Sequence, residues 1–153
     1  MNGIVVKSTG SWYLVRTEDG IVHKCRIRGK FRMEGIKSTN PVSVGDVVDF
    51  DLEPSKDSGV ITKIHERTNY IVRKSVNLSK RTHIIASNID RAFLLVTIDN
   101  PPTATSFIDR FLVSAQAYHI PVTILFNKLD SFNEESEILK DELAEIYTNI
   151  GYD

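Results

Sequence analysis

Cysteine is nearly missing from this 153-residue sequence, Cys25 being its single instance. One thiol excludes an internal disulfide framework and leaves no cysteine pair to hold a structural zinc. Long hydrophobic runs are missing too. No stretch approaches the roughly 18 to 20 apolar residues that a membrane span needs, and the opening Met1-Asn2-Gly3-Ile4 lacks the charged head and apolar core of a secretory signal. A cytoplasmic protein with no membrane partner is expected. The four histidines, His23, His65, His83 and His119, are scattered without metal-ligand spacing, so no metal site is expected among these residues. A phosphate cradle of the form G-x-x-x-x-G-K-[ST] is likewise absent. Phosphoryl transfer needs such a cradle, its lysine, a hydroxyl for magnesium and a positioned water. No segment repeats or is low in complexity.

What is present suits an ordinary soluble chain: 41% hydrophobic and 25% charged residues, enough for one medium domain or two small ones. The net charge of −1 conceals a polarity along the chain. Lys24, Arg26, Arg28, Lys30, Arg32 and Lys37 stand against Glu34 alone, and Arg67, Arg73, Lys74, Lys80 and Arg81 form a second basic stretch. After Asp130 the sign reverses: Glu134, Glu135, Glu137, Asp141, Glu142 and Glu145 face only Lys140, the pattern of a solvated acidic helix face.

Apolar residues recur at period two up to about residue 67, the mark of half-buried antiparallel strands. Five strands are predicted, over 3–7, 12–17, 21–28, 46–52 and 60–67, and five short strands in such a length suggest a closed barrel of the oligonucleotide-binding (OB) type. In the third strand Ile21, His23, Cys25 and Ile27 share the inner face, while Val22, Lys24, Arg26 and Arg28 share the outer one. Residues 68–88 read as a linker with room for an added edge strand. From residue 89 the pattern changes to apolar runs separated by helical periodicity. The run 91–98 lacks alternation and fits a strand buried on both faces. A helix follows near Ser106, whose spacing to Asp109 matches a capping box, with Ile108, Phe111, Leu112 and Ala115 inward. Residues 121–126 form a second buried strand, and from residue 134 Leu139, Leu143, Ile146 and Ile150 make one helical face. Strand, helix, strand, helix implies a parallel α/β sheet with right-handed crossovers.

At the carboxyl end of the second buried strand, where open α/β sheets collect ligands, stands Asn127-Lys128-Leu129-Asp130. A carboxylate there accepts from both the ring N–H and the exocyclic amine of guanine. Adenine offers a ring acceptor and no adjacent amine, which would leave the charge unpaired. Asn127 can donate its amide to the acceptor edge of the base, and the lysine stem can cover the ring. The plainer reading is that Asn127 and Asp130 turn the chain into the next helix.

With the barrel before it, the Arg73-Lys74 pair, the Asn88-Ile89-Asp90 entry to the strand and Ile108-Asp109-Arg110-Phe111-Leu112 in the helix, this tetrad resembles the small-subunit-dependent, circularly permuted GTPases of bacteria (EngC type). The resemblance covers nearly the whole chain. It implies a mixed fold: an OB-type barrel over 1–67, a linker over 68–88, and over 89–153 the first part of a circularly permuted P-loop-type G domain. It further implies GTP or GDP with Mg²⁺ as ligands of the complete protein, Zn²⁺ in a later domain, and the small ribosomal subunit and its RNA as partners. The complete protein is expected to hydrolyse GTP and to assist late maturation of the subunit as a monomer. The phosphate loop, switch regions and zinc ligands are expected beyond residue 153. No catalytic residue is therefore assigned, and these residues alone are expected to be inactive.

The guanine-contacting set is then Asn127, Lys128, Leu129 and Asp130. The RNA-contacting set is Lys24, Arg26, Arg28, Lys30, Arg32 and Lys37, with Arg73, Lys74, Lys80 and Arg81 weighed evenly against linker solvation. Only Trp12 and Phe31 offer stacking nearby, which favours backbone over base recognition and a steep salt dependence. Two rival readings are an RNA-binding barrel with an unrelated α/β appendage, and an adaptor using the acidic helix. Cys25 reads as a small buried hydrophobe rather than a nucleophile.

Overall fold

The computed structural model describes residues 1–27, 41–54, 56–74 and 82–153. They fall into two units, Met1–Ile89 and Asp90–Asp153. In the first, period-two alternation has produced β1 (Asn2–Ser8), β2 (Tyr13–Arg16), β3 (Val22–Ile27), β4 (Val47–Leu52) and β5 (Gly59–Ile64), closed in the order β1-β2-β3-β5-β4. The expectation of wholly antiparallel strands needs one correction. Four pairings are antiparallel, but β3 and β5 run parallel, with Cys25 opposite Gly59. Parity demands it, because a ring of five strands cannot alternate direction at every step.

Inside lie Val5, Tyr13, Val15, Cys25, Val42, Val48, Phe50 and Ile61, all essentially without solvent contact. Burying each of the larger ones stabilises the barrel by about 1.5–3 kcal/mol. Cys25 belongs to this core, and burial pushes its thiol up to about 11. Beside it, His23 sits 5.3 Å from the Phe50 ring centre to centre. Ile21, expected inside, is 53% exposed, because the strand starts one residue after it.

The stretch read as a linker carries two strands that pair antiparallel with each other, β6 (Tyr70–Lys74) and β7 (Thr82–Ser87). The hairpin is clamped to the barrel through Asp46, which has no exposed surface. Its carboxylate accepts from Arg67 Nε and Nη2 at 2.7 Å each, from Ser43 N at 2.9 Å and from Ser87 Oγ at 2.5 Å. Asn88 adds a second clasp, donating to Gly45 O at 2.9 Å while accepting from Thr68 N at 2.9 Å. Gly45 is required here: its φ is +89°, and a Cβ would lie 1.9 Å from the Ser87 carbonyl oxygen.

The second unit runs β8 (Ala92–Val96), α1 (Thr105–Ala117), β9 (Val122–Phe126), a 3₁₀ turn at Leu129–Ser131 and α2 (Glu134–Asn149). β8 and β9 pair parallel from Ala92↔Val122 to Val96↔Phe126, as the strand–helix–strand order implies. Ala92, Leu94, Val96, Val122 and Ile124 are buried together with Ile108, Leu112 and Ala115 of α1.

Three expectations about this unit are overturned. The apolar run 91–98 is buried on one face only, since Phe93 and Leu95 remain 60% and 59% exposed and no element of the unit covers them. The capping box does not form. α1 starts at Thr105 after Ala104, without a side-chain cap, so Ser106 lies inside the first turn, and Asp109 instead accepts from Tyr147 Oη at 2.9 Å. Finally, α2 turns Ser136 and Tyr147 inward and leaves Leu139, Ile146 and Ile150 exposed. The bulkiest side chain of that helix, reaching Asp109, sets its rotation. Asn133 caps α2 by accepting from Ser136 N at 2.9 Å, with Glu134, Glu135 and Glu137 in the first turn where the helix dipole favours them. No helix among the described residues is long and apolar enough to cross a membrane.

Candidate functional site

Asn127 continues directly from β9, and its N–H donates to Val96 O at 2.9 Å, so the tetrad begins at the carboxyl ends of both parallel strands. Asn127 Oδ1 accepts from Lys128 N at 2.9 Å, and Lys128 adopts the left-handed conformation with φ 64°. That sharp reversal starts the 3₁₀ turn, closed by Ser131 N and Ser131 Oγ donating to Lys128 O at 3.0 and 2.8 Å. The chain-turning role weighed for these residues is thus real, but it uses only the backbone and Asn127 Oδ1. Among the described residues neither the Asp130 carboxylate nor the Asn127 amide nitrogen has a hydrogen-bond or ion-pair partner. All four tetrad residues are exposed.

The structure therefore brings together at one strand end an acceptor pair, a donor amide and a lysine stem. Such a set can bind an edge that offers two adjacent N–H donors on one side and an acceptor on the other. The lysine is not free to wander. Its Nζ donates to the carbonyl of Asn100, in the loop between β8 and α1, at 2.5 Å. Sequence reasoning missed this contact, because a main-chain acceptor leaves no trace in residue type; only Pro101-Pro102 marked the loop. A separate cleft lined by Arg91, Asp109, His119, Pro121 and Tyr152 opens at the amino ends of the strands, the end where open α/β sheets do not collect ligands.

On the barrel, Lys24 and Arg26 project from the outer face of β3 as expected. Lys24 Nζ lies 4.4 Å from the centroid of the Trp12 ring, a cation–π arrangement. Arg26 forks onto Glu53, with Nη2 at 2.6 Å and Nε at 3.3 Å, and Glu53 also accepts from Ser58 Oγ at 2.9 Å. These hydrogen bonds, Arg26 first, draw the Glu53 carboxyl down to about 2. Arg26 thus brings a compensated charge to any phosphate, whereas Lys24, beside an aromatic, has no acidic partner among the described residues. Arg73 and Lys74 fall in β6, opposite His83 and Thr82. Arg28, Lys30, Phe31, Arg32, Lys37, Lys80 and Arg81 lie outside the described residues. Among the described residues no three His, Cys, Asp or Glu side chains converge as a metal site.

Comparison with known proteins gives a consistent result along the chain. Residues 64–153 match the family model described as RsgA GTPase, and residues 2–61 match the RsgA N-terminal domain. The chain is similar to the small ribosomal subunit biogenesis GTPase RsgA of Flavobacterium johnsoniae, 63% identical across 99% of this chain and 47% of that protein. A protein of the same name from Christiangramia forsetii is 62% identical, over 100% of this chain and 49% of its own length. Among solved structures, YjeQ from Thermotoga maritima superposes with a TM-score of 0.72 at 32% identity, covering 99% of this chain and 49% of that one. YloQ, described as a circularly permuted GTPase, gives 0.67 at 33% identity over the same shares. The chain spans about half the length of the curated relatives it matches.

Proposed function

This chain belongs to the RsgA GTPase family, and from that premise we propose that Asn127, Lys128, Leu129 and Asp130 select guanine for a GTPase that acts in small ribosomal subunit biogenesis in the cytoplasm. The observation that carries the proposal is that the Asp130 carboxylate and the Asn127 amide nitrogen, which follow the carboxyl end of β9, are both exposed and have no partner among the described residues. Asp130 accepts the ring N–H and exocyclic amine of the base; Asn127 donates to its opposite edge; the Lys128 stem covers a ring face. GTP or GDP is the ligand. Hydrolysis is assigned to none of the residues described above, since a residue that reads the base does not reach the γ-phosphate. Magnesium and zinc belong to the complete protein, outside this set, and residues 1–153 alone turn over no GTP.

The barrel, residues 1–67, contacts ribosomal RNA through phosphates. Lys24, Arg26, Arg28, Lys30, Arg32 and Lys37 serve this contact, Arg73, Lys74, Lys80 and Arg81 extend it, residues 68–88 join the two parts, and 89–153 read the nucleotide. Support comes from the exposed β3 face and the Lys24–Trp12 pair, which can present charge and a stacking surface together. The protein works as a monomer on the subunit.

The decisive experiment is Asp130→Asn in the complete protein, with fluorescent guanosine and xanthosine diphosphates compared. An amide in place of the carboxylate presents a donor to the exocyclic amine, so guanine affinity should fall about 10- to 100-fold, the worth of charge-assisted hydrogen bonds. Affinity for the xanthosine nucleotide, whose carbonyl replaces that amine, should rise. Unchanged guanine preference would remove the tetrad from the base site.

A further inference from the structure

The contact between Lys128 and Asn100 has no part in recognising an edge of the base, yet it is built with some care. Asn100 sits at the tip of the turn between β8 and α1 with φ 48°, a left-handed conformation that Asn tolerates better than most residues. The turn is stapled at its neck. Thr97 N donates to Thr103 Oγ1 at 3.0 Å, Thr103 N donates to Thr97 O at 2.8 Å, and Thr97 Oγ1 donates to Pro101 O at 2.5 Å. At the tip Asn100 N donates to Asp99 Oδ1 at 2.8 Å. These bonds aim the Asn100 carbonyl at the ammonium, 28 residues further along the chain. Lys128, itself left-handed, starts its side chain just past the end of β9 and finishes it on Asn100 O in the turn that follows β8, so the stem runs from one of the two parallel strands to the loop after the other.

From this geometry we infer that the stapled turn at Thr97–Thr103 holds the Lys128 stem stretched as a preformed lid strip for the ring bound by the tetrad, with Thr97 and Thr103 as positioning residues. The inference rests on the guanine-selecting reading of the tetrad. A free lysine side chain gives up nearly all its rotamer freedom when it is pinned over a ring. Anchoring it beforehand removes that cost from the binding step. The strip touches only a ring face, which guanine and xanthine share. It therefore strengthens binding of both equally and leaves the choice between them to Asp130.

The test is a double-mutant cycle in the complete protein, read as the dissociation constant of fluorescent GDP. Thr103→Val removes the acceptor for Thr97 N while keeping shape, and Lys128→Met keeps a stem without its ammonium. Thr103→Val should weaken GDP binding on the order of tenfold when Lys128 is present, the entropy of one ordered lysine, and have no effect on top of Lys128→Met. Thr103→Ser should restore binding. In an Asp130→Asn background Thr103→Val should weaken the xanthosine nucleotide by the same factor. Equal loss from Thr103→Val with and without the lysine ammonium would overturn the strip, since the turn would then act by another route. Failure of Asp130→Asn to alter base preference would instead overturn the tetrad reading, so the two ideas fail separately.

Discussion

Removing the Asp46 carboxylate should unfasten the β6–β7 hairpin and cost the unit Met1–Ile89 a large share of its stability. The group is fully buried and satisfied four times over, by the fork of Arg67, by Ser43 N and by Ser87 Oγ. Asp46→Ala leaves the Arg67 guanidinium, whose side chain is only 21% exposed, without its counter-charge. Deleting one partner of a buried pair costs about 3–5 kcal/mol, and partial access of water to Arg67 argues for the lower end. Ser43 N, also buried, loses its acceptor, a further cost of about 1 kcal/mol or more, whereas Ser87 Oγ keeps Val44 O at 3.3 Å. The sum is about 4 kcal/mol. Domains of this size have roughly 5–13 kcal/mol in total. With a urea dependence of about 1 kcal/mol per molar, the unfolding midpoint should fall by roughly 3–4 M. Trp12 is the only tryptophan in the chain and lies in this unit, so its fluorescence reports the transition directly. Replacing both partners, Asp46→Leu with Arg67→Met, should cost less than Asp46→Ala alone, because no orphaned charge remains. A midpoint lowered by under about 1 M in Asp46→Ala would refute the clamp, as would a double variant weaker than the single one.

Two further outcomes are expected. Cys25, buried with its thiol raised to about 11 by desolvation, should resist iodoacetamide at pH 8 in the native protein and react at the rate of a free thiol in denaturant; brisk native labelling would place it outside the core. Glu53, drawn from its ordinary 4.5 to about 2 chiefly by Arg26, contributes stability that is complete above about pH 4.5 and lost as pH falls through about 2. Arg26→Gln should return its carboxyl titration, followed by NMR, toward the ordinary value, and an unmoved midpoint would show that the fork is not the cause.

Much was legible in the amino-acid order alone. Alternation located all five barrel strands to within three residues at each end, because a closed barrel has one dry and one wet face and period two records exactly that division of labour between neighbours. The tetrad was legible as well, since its chemistry lies in side-chain type and spacing, and a strand ending at Phe126 needs only local information. Features that depend on which face meets which neighbour were not. The inward side of α2 is set by Tyr147 reaching Asp109 across to α1, although Leu139, Ile146 and Ile150 make the better apolar stripe by spacing. The run around Phe93 and Leu95 is apolar on both sides, yet burial requires a neighbour that periodicity does not name. Polar residues in 68–88 looked like a linker because a hairpin held by a carboxylate two strands away has no strong local pattern. Asp46, Arg67 and Ser87 are ordinary polar residues in sequence, 21 and 41 positions apart from the carboxylate. Only folding brings them together, as it brings the Asn100 carbonyl to Lys128. Composition, periodicity and residue spacing thus determined the strands, the order of the two units and the place of the Asn127-Lys128-Leu129-Asp130 tetrad. Tertiary structure alone decided which groups are buried in pairs and which side chain is held in place, because those depend on distances between residues remote in the chain.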